Sequence, residues 1–227
     1  MELDITLPEL LPVMTLPNVA FFPQALMPLH IFEPRYRQML KDVLASDRLF
    51  AVAGLNTRRA HNTSEFEPPH RIASVGIVRA CQENSDGTSN LLLQGLCRVE
   101  FTDIVSDDPY RRVSVRLLNS HAPNPTDDSA QMRRELARLL RLKQKLGGQV
   151  PTEITEFLGK VGDPETFLDL AAFSLCDKHS LKQKLLETLD VGARFELFSR
   201  QLRVEIDRIK LQRKLQAGLS DSRISDN

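Results

Sequence analysis

Up to about residue 120 the apolar positions come in short runs of strand length. Leu49–Leu55, Ala73–Cys81, Asn90–Val99 and Tyr110–Leu118 each predict a strand. In the last run Tyr110, Val113, Val115 and Leu117 partly alternate with Arg111, Arg112, Ser114 and Arg116, the pattern of a half-buried strand. Asp86-Gly87 stands between the second and third runs and predicts a hairpin joining Ala73–Glu83 to Thr88–Val99. Leu10–Met27 is apolar but broken by Pro12, Pro17 and Pro23. Proline removes a ladder donor, so short or edge strands joined by bends are expected there. One helix interrupts the strands, from Glu33-Pro34 to about Ala45. It sets Tyr36, Met39, Leu40, Val43 and Leu44 on one face. Asn56–His70 reads as a polar loop.

Beyond residue 120 the period becomes helical. His121–Asp128 is a proline-broken linker, which divides a β domain over residues 1–120 from a helical bundle over residues 129–227. Leu136, Leu139, Leu140, Leu142 and Leu146 predict a first helix that stops at Gly147-Gly148. A short helix follows over about Thr152–Leu158. The next has Asp163 as its N-cap and Pro164 just inside it. Ser180 and Gln183 have capping-box spacing ahead of Leu185-Leu186. The last helix is predicted from about Gly192 to Ala217. It carries two apolar stripes: Phe195, Phe198, Leu202, Ile206 and Ile209, and separately Leu197, Val204, Leu211 and Leu215. A helix lying on one core needs one stripe, so the second asks for another surface, either the β domain or a second copy of the chain. The fold class expected is α+β.

Composition narrows the function. The 227 residues carry 30 Lys+Arg against 30 Asp+Glu, so no strong positive field advertises a nucleic-acid binder. Apolar residues at 41% are ordinary for a globular chain, and no apolar run is long enough for a membrane span. The N-terminus, MELDITLPELLP, has acids where a signal peptide needs bases, so a cytoplasmic protein is expected. Walker A spacing fails, because the only Gly-Lys pair, Gly159-Lys160, precedes Val161 and has Ile154 where the first glycine belongs. No G-x-G-x-x-G, G-x-S-x-G or H-E-x-x-H occurs. Cys81, Cys97 and Cys176 lack zinc-ligand spacing. No catalytic residue, metal ligand or cofactor is therefore assigned.

Leu16–Phe32 (LPNVAFFPQALMPLHIF) is the strongest lead to a binding site. Phe21, Phe22, Leu26, Met27, Leu29 and Phe32 are the candidate contact residues for a hydrophobic ligand. Strand alternation predicts that one of the neighbours Phe21 and Phe22 is exposed.

Leu16–Leu40 (LPNVAFFPQALMPLHIFEPRYRQML) resembles the opening signature of the N-terminal domain of Lon proteases. The similarity continues through Val75-Gly76-Ile77-Val78, Asp86-Gly87-Thr88 and Leu93–Arg98. It persists in Gly162-Asp163-Pro164, Leu168–Ala172 and Lys182–Val191, covering about residues 10–210. The resemblance implies a PUA-like β-barrel followed by a helical bundle with a long last helix. It also implies a non-catalytic module that recognises unfolded or hydrophobic polypeptide segments, without ATPase or protease activity. A protease or chaperone partner is one expectation, and self-association through the last helix another. The alternative is RNA binding, since PUA-like barrels resemble RNA-binding modules. Arg58, Arg59, Arg71, Arg79, Arg98, Arg111, Arg112 and Arg116 would then supply the phosphate contacts. Gln24 stands where the family commonly has glycine after Phe-Pro, so a turn needing positive φ would be strained there.

Overall fold

The computed structural model describes residues 7–60, 66–121 and 129–224, with side chains through Gln216. In chain order the elements are β1 (Leu10–Leu16), β2 (Leu26–Ile31), α1 (Pro34–Leu44), β3 (Leu49–Gly54), α2 (Thr57–Ala60), β4 (Ile72–Glu83), β5 (Ser89–Ser106) and β6 (Arg112–Leu118). The helices α3 (Ser129–Lys145), α4 (Thr152–Lys160), α5 (Pro164–Leu175), α6 (His179–Glu187) and α7 (Val191–Ile224) follow. Residues 1–120 with 176–189 form one compact unit, and residues 121–175 with 190–227 form the other. The expected bundle over 129–227 therefore loses α6 to the β unit. The expected linker lies, apart from His121, outside the described residues.

Five strands of the β unit close on themselves. β1 runs parallel to β3, and β3–β4, β4–β5, β5–β6 and β6–β1 are antiparallel. β5 makes closure possible by its length. It reaches Ser106, past the predicted end at Val99, and its second half pairs with β6. Leu11, Val13, Ala51, Val75, Val99, Phe101 and Val113, drawn from all five ring strands, share one buried cluster. β2 stands apart from the ring. It pairs only with the first half of β5, from Leu26 opposite Gln94 to Ile31 opposite Ser89.

α1 starts at Pro34 and buries Tyr36, Met39, Leu40 and Val43, as its apolar spacing predicts. The Tyr36 hydroxyl donates to the Thr15 carbonyl at 3.3 Å and accepts from the Thr15 N–H at 3.2 Å. The predicted polar loop contains the short α2, and its residues 61–65 lie outside the described residues.

α6 packs on β4 and buries Leu185 and Leu186. Its position rests on side chains that answer backbone groups. The Gln183 amide donates to the Ile72 carbonyl at 3.0 Å, and Arg98 Nε donates to the Leu186 carbonyl at 3.1 Å. The predicted capping box is not formed. The helix opens at His179, one residue before Ser180, with Lys178 at the cap position and no side-chain cap bond. Gln183 is buried and committed to β4 instead.

In the helical unit, α3, α5 and α7 bury Leu136, Leu139 and Leu140, Phe167, Leu168 and Ala171, and Phe195, Phe198, Leu202 and Ile206. Asp163 caps α5 as expected, accepting from the Thr166 N–H at 2.7 Å. Arg194 is fully buried, and its guanidinium is held by Asp169 at 2.7 Å and Glu165 at 3.1 Å. Of the two stripes on α7, the first is the packed one. Val204, Leu211 and Leu215 of the second are exposed. Among the described residues no helix is long and apolar enough to cross a membrane.

Candidate functional site

The six candidate contact residues separate by depth. Phe21 and Phe22 are both fully buried, which overturns the expectation that one of them is exposed. Alternation does not apply, because residues 17–25 are a bent connection and not a strand. Glycines let the Phe21 ring and the Phe22 backbone approach the sheet closely. A Cβ on Gly76 would come within 2.9 Å of the Phe21 ring, and one on Gly95 would lie 2.1 Å from the Phe22 carbonyl. The Phe21 carbonyl accepts from the Ser74 hydroxyl at 2.6 Å. Met27 is buried as well, so these three side chains offer no surface to a ligand.

The connection enters β2 through a tight turn. The Ala25 N–H donates to the Phe22 carbonyl at 3.2 Å, with Pro23 and Gln24 at the two central positions. Gln24 has φ 62°, so a non-glycine residue holds the left-handed conformation that such a turn requires. Gly95 fixes the turn from both sides, accepting from the Gln24 N–H and donating to the Ala25 carbonyl, each at 2.9 Å.

From Leu26 onward the chain is a strand, and successive side chains point to opposite faces. Met27 and Ile31 point inward, with Leu29 half-buried on the same side. Leu26, Pro28 and His30 point outward, and Phe32 continues their side just beyond the strand. Leu26 is 52% exposed and Phe32 61%. The rings of His30 and Phe32 stack with centroids 6.0 Å apart, and His30 Nδ1 lies 2.8 Å from Asn90 Oδ1. The outer face of β2 is therefore a short apolar strip on the strand that the closed ring leaves over.

A feature the sequence reading missed is the exposed ring of Phe66 within the polar loop. The Arg35 guanidinium sits 5.3 Å from its centre and 4.5 Å from that of Tyr36. Arg35 also pairs with Glu33 and Glu67, each at 2.9 Å. These carboxylates, Glu67 above all, raise the guanidinium pKa further above its already high ordinary value, and burial raises that of the Tyr36 phenol. Below them Arg111 donates to the carbonyls of Phe66 at 2.6 Å and Glu67 at 2.7 Å. Arginine at 35 and 111 could signal this clamp, but only with knowledge that the loop returns to them.

Two of the arginines considered for phosphate contact are spent on structure. Arg98 and Arg111 are buried, with Arg98 against Phe22 and Leu186. Arg71 and Arg116 are exposed but flank Glu100, whose carboxyl they hold below the usual range, Arg116 most strongly. Cys81 stands opposite Leu91 and Cys97 opposite Val75, and all three cysteines are free thiols. Burial pushes the Cys97 thiol up to about 11.

A closed β ring with an appended strand and a helical unit with a long last helix is the setting in which the chain meets its relatives. The chain belongs to the ATP-dependent protease La (LON) substrate-binding domain family, whose model matches residues 10–204. The Lon protease of Desulfosudis oleivorans is 22% identical over 217 residues, covering 95% of this chain and 26% of that protein. The Lon protease of Trichlorobacter lovleyi is 28% identical over 220 residues, with the same two coverages. The chain thus spans about a quarter of the length of these relatives. Two solved structures share the fold at 18% identity. The Lon N-terminal domain protein from Xanthomonas campestris has a TM-score of 0.59, over 83% of this chain and 96% of that one. The N-terminal domain of Mycobacterium avium complex Lon protease has a TM-score of 0.60, over 88% and 98%.

Proposed function

We propose that this chain is a non-catalytic protein-binding module that holds unfolded or hydrophobic polypeptide segments against the outer face of β2. The observation that carries the reading is the exposed pair Leu26 and Phe32 on the appended strand, in a chain of a substrate-binding family. Apolar side chains at the two ends of the strip suit an extended segment with apolar residues at alternate positions, since a strand rises about 3.3 Å per residue. Pro28 between them removes a backbone donor from the strand. Recognition on this reading is carried by side chains, which suits clients of varied sequence. The residues described assign no nucleophile, general base or phosphate loop, and hydrolysis of ATP or protein is not ascribed to the chain. Its three free thiols fit the cytoplasm, a reducing compartment.

The test is binding of a permanently unfolded model protein, followed by fluorescence anisotropy across a salt series, with a structured RNA as the second ligand. Leu26→Asp with Phe32→Ala is expected to weaken binding of the unfolded protein at least tenfold, with melting unchanged. Affinity for RNA alone, falling steeply with salt, would reject the reading.

A further inference from the structure

We propose that α7 pairs with α7 of a second copy of this chain, antiparallel, through Val204, Leu211 and Leu215. These residues lie within an arc of about 40° at about 100° per residue, and Leu197 falls in the same arc. A helix bound to a core or a bilayer surface presents an apolar face about 100° wide or more, whereas a seam this narrow is what a partner helix covers. The seam is free within its own unit. The packed stripe of Phe195, Phe198, Leu202 and Ile206 faces α3 and α5, and every described residue from Lys210 to Gln216 is exposed. Spacings of seven, seven and four residues from Leu197 to Leu215 follow a heptad, with Arg208 at the one charged position inside the seam.

Charge selects the partner and its direction. Asp207 and Lys214 stand seven residues apart on one flank of the seam. In the antiparallel register that sets Val204 against Leu215 of the second copy, Asp207 of each chain meets Lys214 of the other. Two-fold symmetry makes that contact twice. Arg208 then lies over Leu211 of the second copy, where its methylene stem packs and its charged end reaches water. A parallel pair would stack Arg208 on Arg208 inside the seam and would set Asp207 beside the neutral Gln212. The remaining cations do not oppose the contact. Arg203 is engaged by Glu135 at 3.3 Å, and Lys210, about 120° round the helix from Val204, pairs with Asp207 of its own helix at 3.3 Å, an exposed contact that leaves the second carboxylate oxygen of Asp207 for Lys214 of the second copy. The contact from Val204 to Leu215 is about 16 Å long, which suits a weak, concentration-dependent dimer.

The experiment is sedimentation equilibrium of the full chain from micromolar to millimolar protein. The expected result is a mass that rises from one chain towards two. Val204→Glu with Leu211→Glu should hold it at one chain, with the circular dichroism of the parent. The decisive arm uses charge. Asp207→Lys alone and Lys214→Asp alone should each weaken pairing several-fold. The double variant should restore it, and an equimolar mixture of the two single variants should pair with each other better than either does with itself. All these positions are exposed, so the charge variants carry the test even if the glutamate pair unfolds. A one-chain mass at millimolar protein, a double variant no better than the singles, or a dimer indifferent to Val204→Glu would each overturn the proposal. So would a helix that binds anionic vesicles and shows no self-association.

Discussion

The guanidinium of Arg98 lies 5.8 Å from the centre of the Phe22 ring. The same side chain donates to the carbonyl of Leu186 on α6 at 3.1 Å. One buried cation thus touches the connection that leads into β2 and the helix that completes the β unit.

Arg98→Ala removes a buried charge-assisted hydrogen bond and leaves the Leu186 carbonyl without its donor. A loss of about 3 kcal/mol in denaturant unfolding is expected. Amide exchange should rise first in α6 and in residues 21–25. Unchanged protection in α6 would show that the helix is held by other contacts.

Phe21→Ala and Phe22→Ala should each cost about 3–5 kcal/mol, since both rings are fully buried and a cavity remains. Leu26→Ala should change stability by about 0.5 kcal/mol or less. Melting of the three variants together with their affinity for unfolded protein separates the core from the surface of this segment. Weakened binding by the stable Leu26 variant is the outcome that supports the site.

Gln24→Gly should stabilise the protein by about 1 kcal/mol. A non-glycine residue in the left-handed region costs roughly 1–2 kcal/mol, and the greater freedom of glycine in the unfolded chain returns part of the gain. Gln24→Ala keeps the unfavourable conformation and should not stabilise. Equal stability of both variants would place the turn under no strain.

The carboxyl of Glu187 is held below the usual range, first by the hydrogen bond from His70 3.5 Å away, and against the upward push of burial. A depressed native value gives a contribution that is complete above the unfolded value of about 4.3 and is lost as pH falls through the native one. Glu187→Gln should therefore be less stable than the parent near pH 7. The gap should close as the pH drops below about 4. A constant gap from pH 7 to pH 3 would remove Glu187 from the acid response.

Asp169→Ala would take from the fully buried Arg194 the carboxylate at 2.7 Å. Breaking such a pair costs about 3–5 kcal/mol, measured as a lower midpoint in denaturant. Replacing both residues by apolar ones of similar size should recover most of that loss.

What could be read from the chain was whatever local pattern decides. The period-2 runs, the Asp86-Gly87 turn, Pro34 at the start of α1 and Asp163 at the start of α5 all act within a few residues of themselves. The reach of β5 to Ser106 was hidden, because its second half becomes a strand by pairing with β6. The burial of Phe21 and Phe22 was hidden for a similar reason. Gly76 and Gly95 clear the space, and they stand more than fifty residues away in sequence. Ser180 and Gln183 looked like a capping box because spacing was the only information. The helix opens one residue earlier, at His179, and the Gln183 side chain is turned to β4, where its amide N–H donates to the Ile72 carbonyl. At the candidate site, Leu26 and Phe32 were legible as apolar residues in a proline-rich stretch. Their exposure followed only from β2 being left out of the ring.

The place of α6 also sets a timetable for synthesis. The chain leaves the β unit at residue 120, builds three helices of the other unit, and returns at residue 176. A ribosome that has released the first 120 residues has therefore not yet released the groups that answer the Ile72 carbonyl and Arg98 Nε. The face of β4 that receives Leu185 and Leu186 stays wet through some sixty-five further residues of elongation. The half of the molecule made first is finished only after three helices of the other half have been made, and a truncation at the apparent domain boundary would make that waiting state permanent.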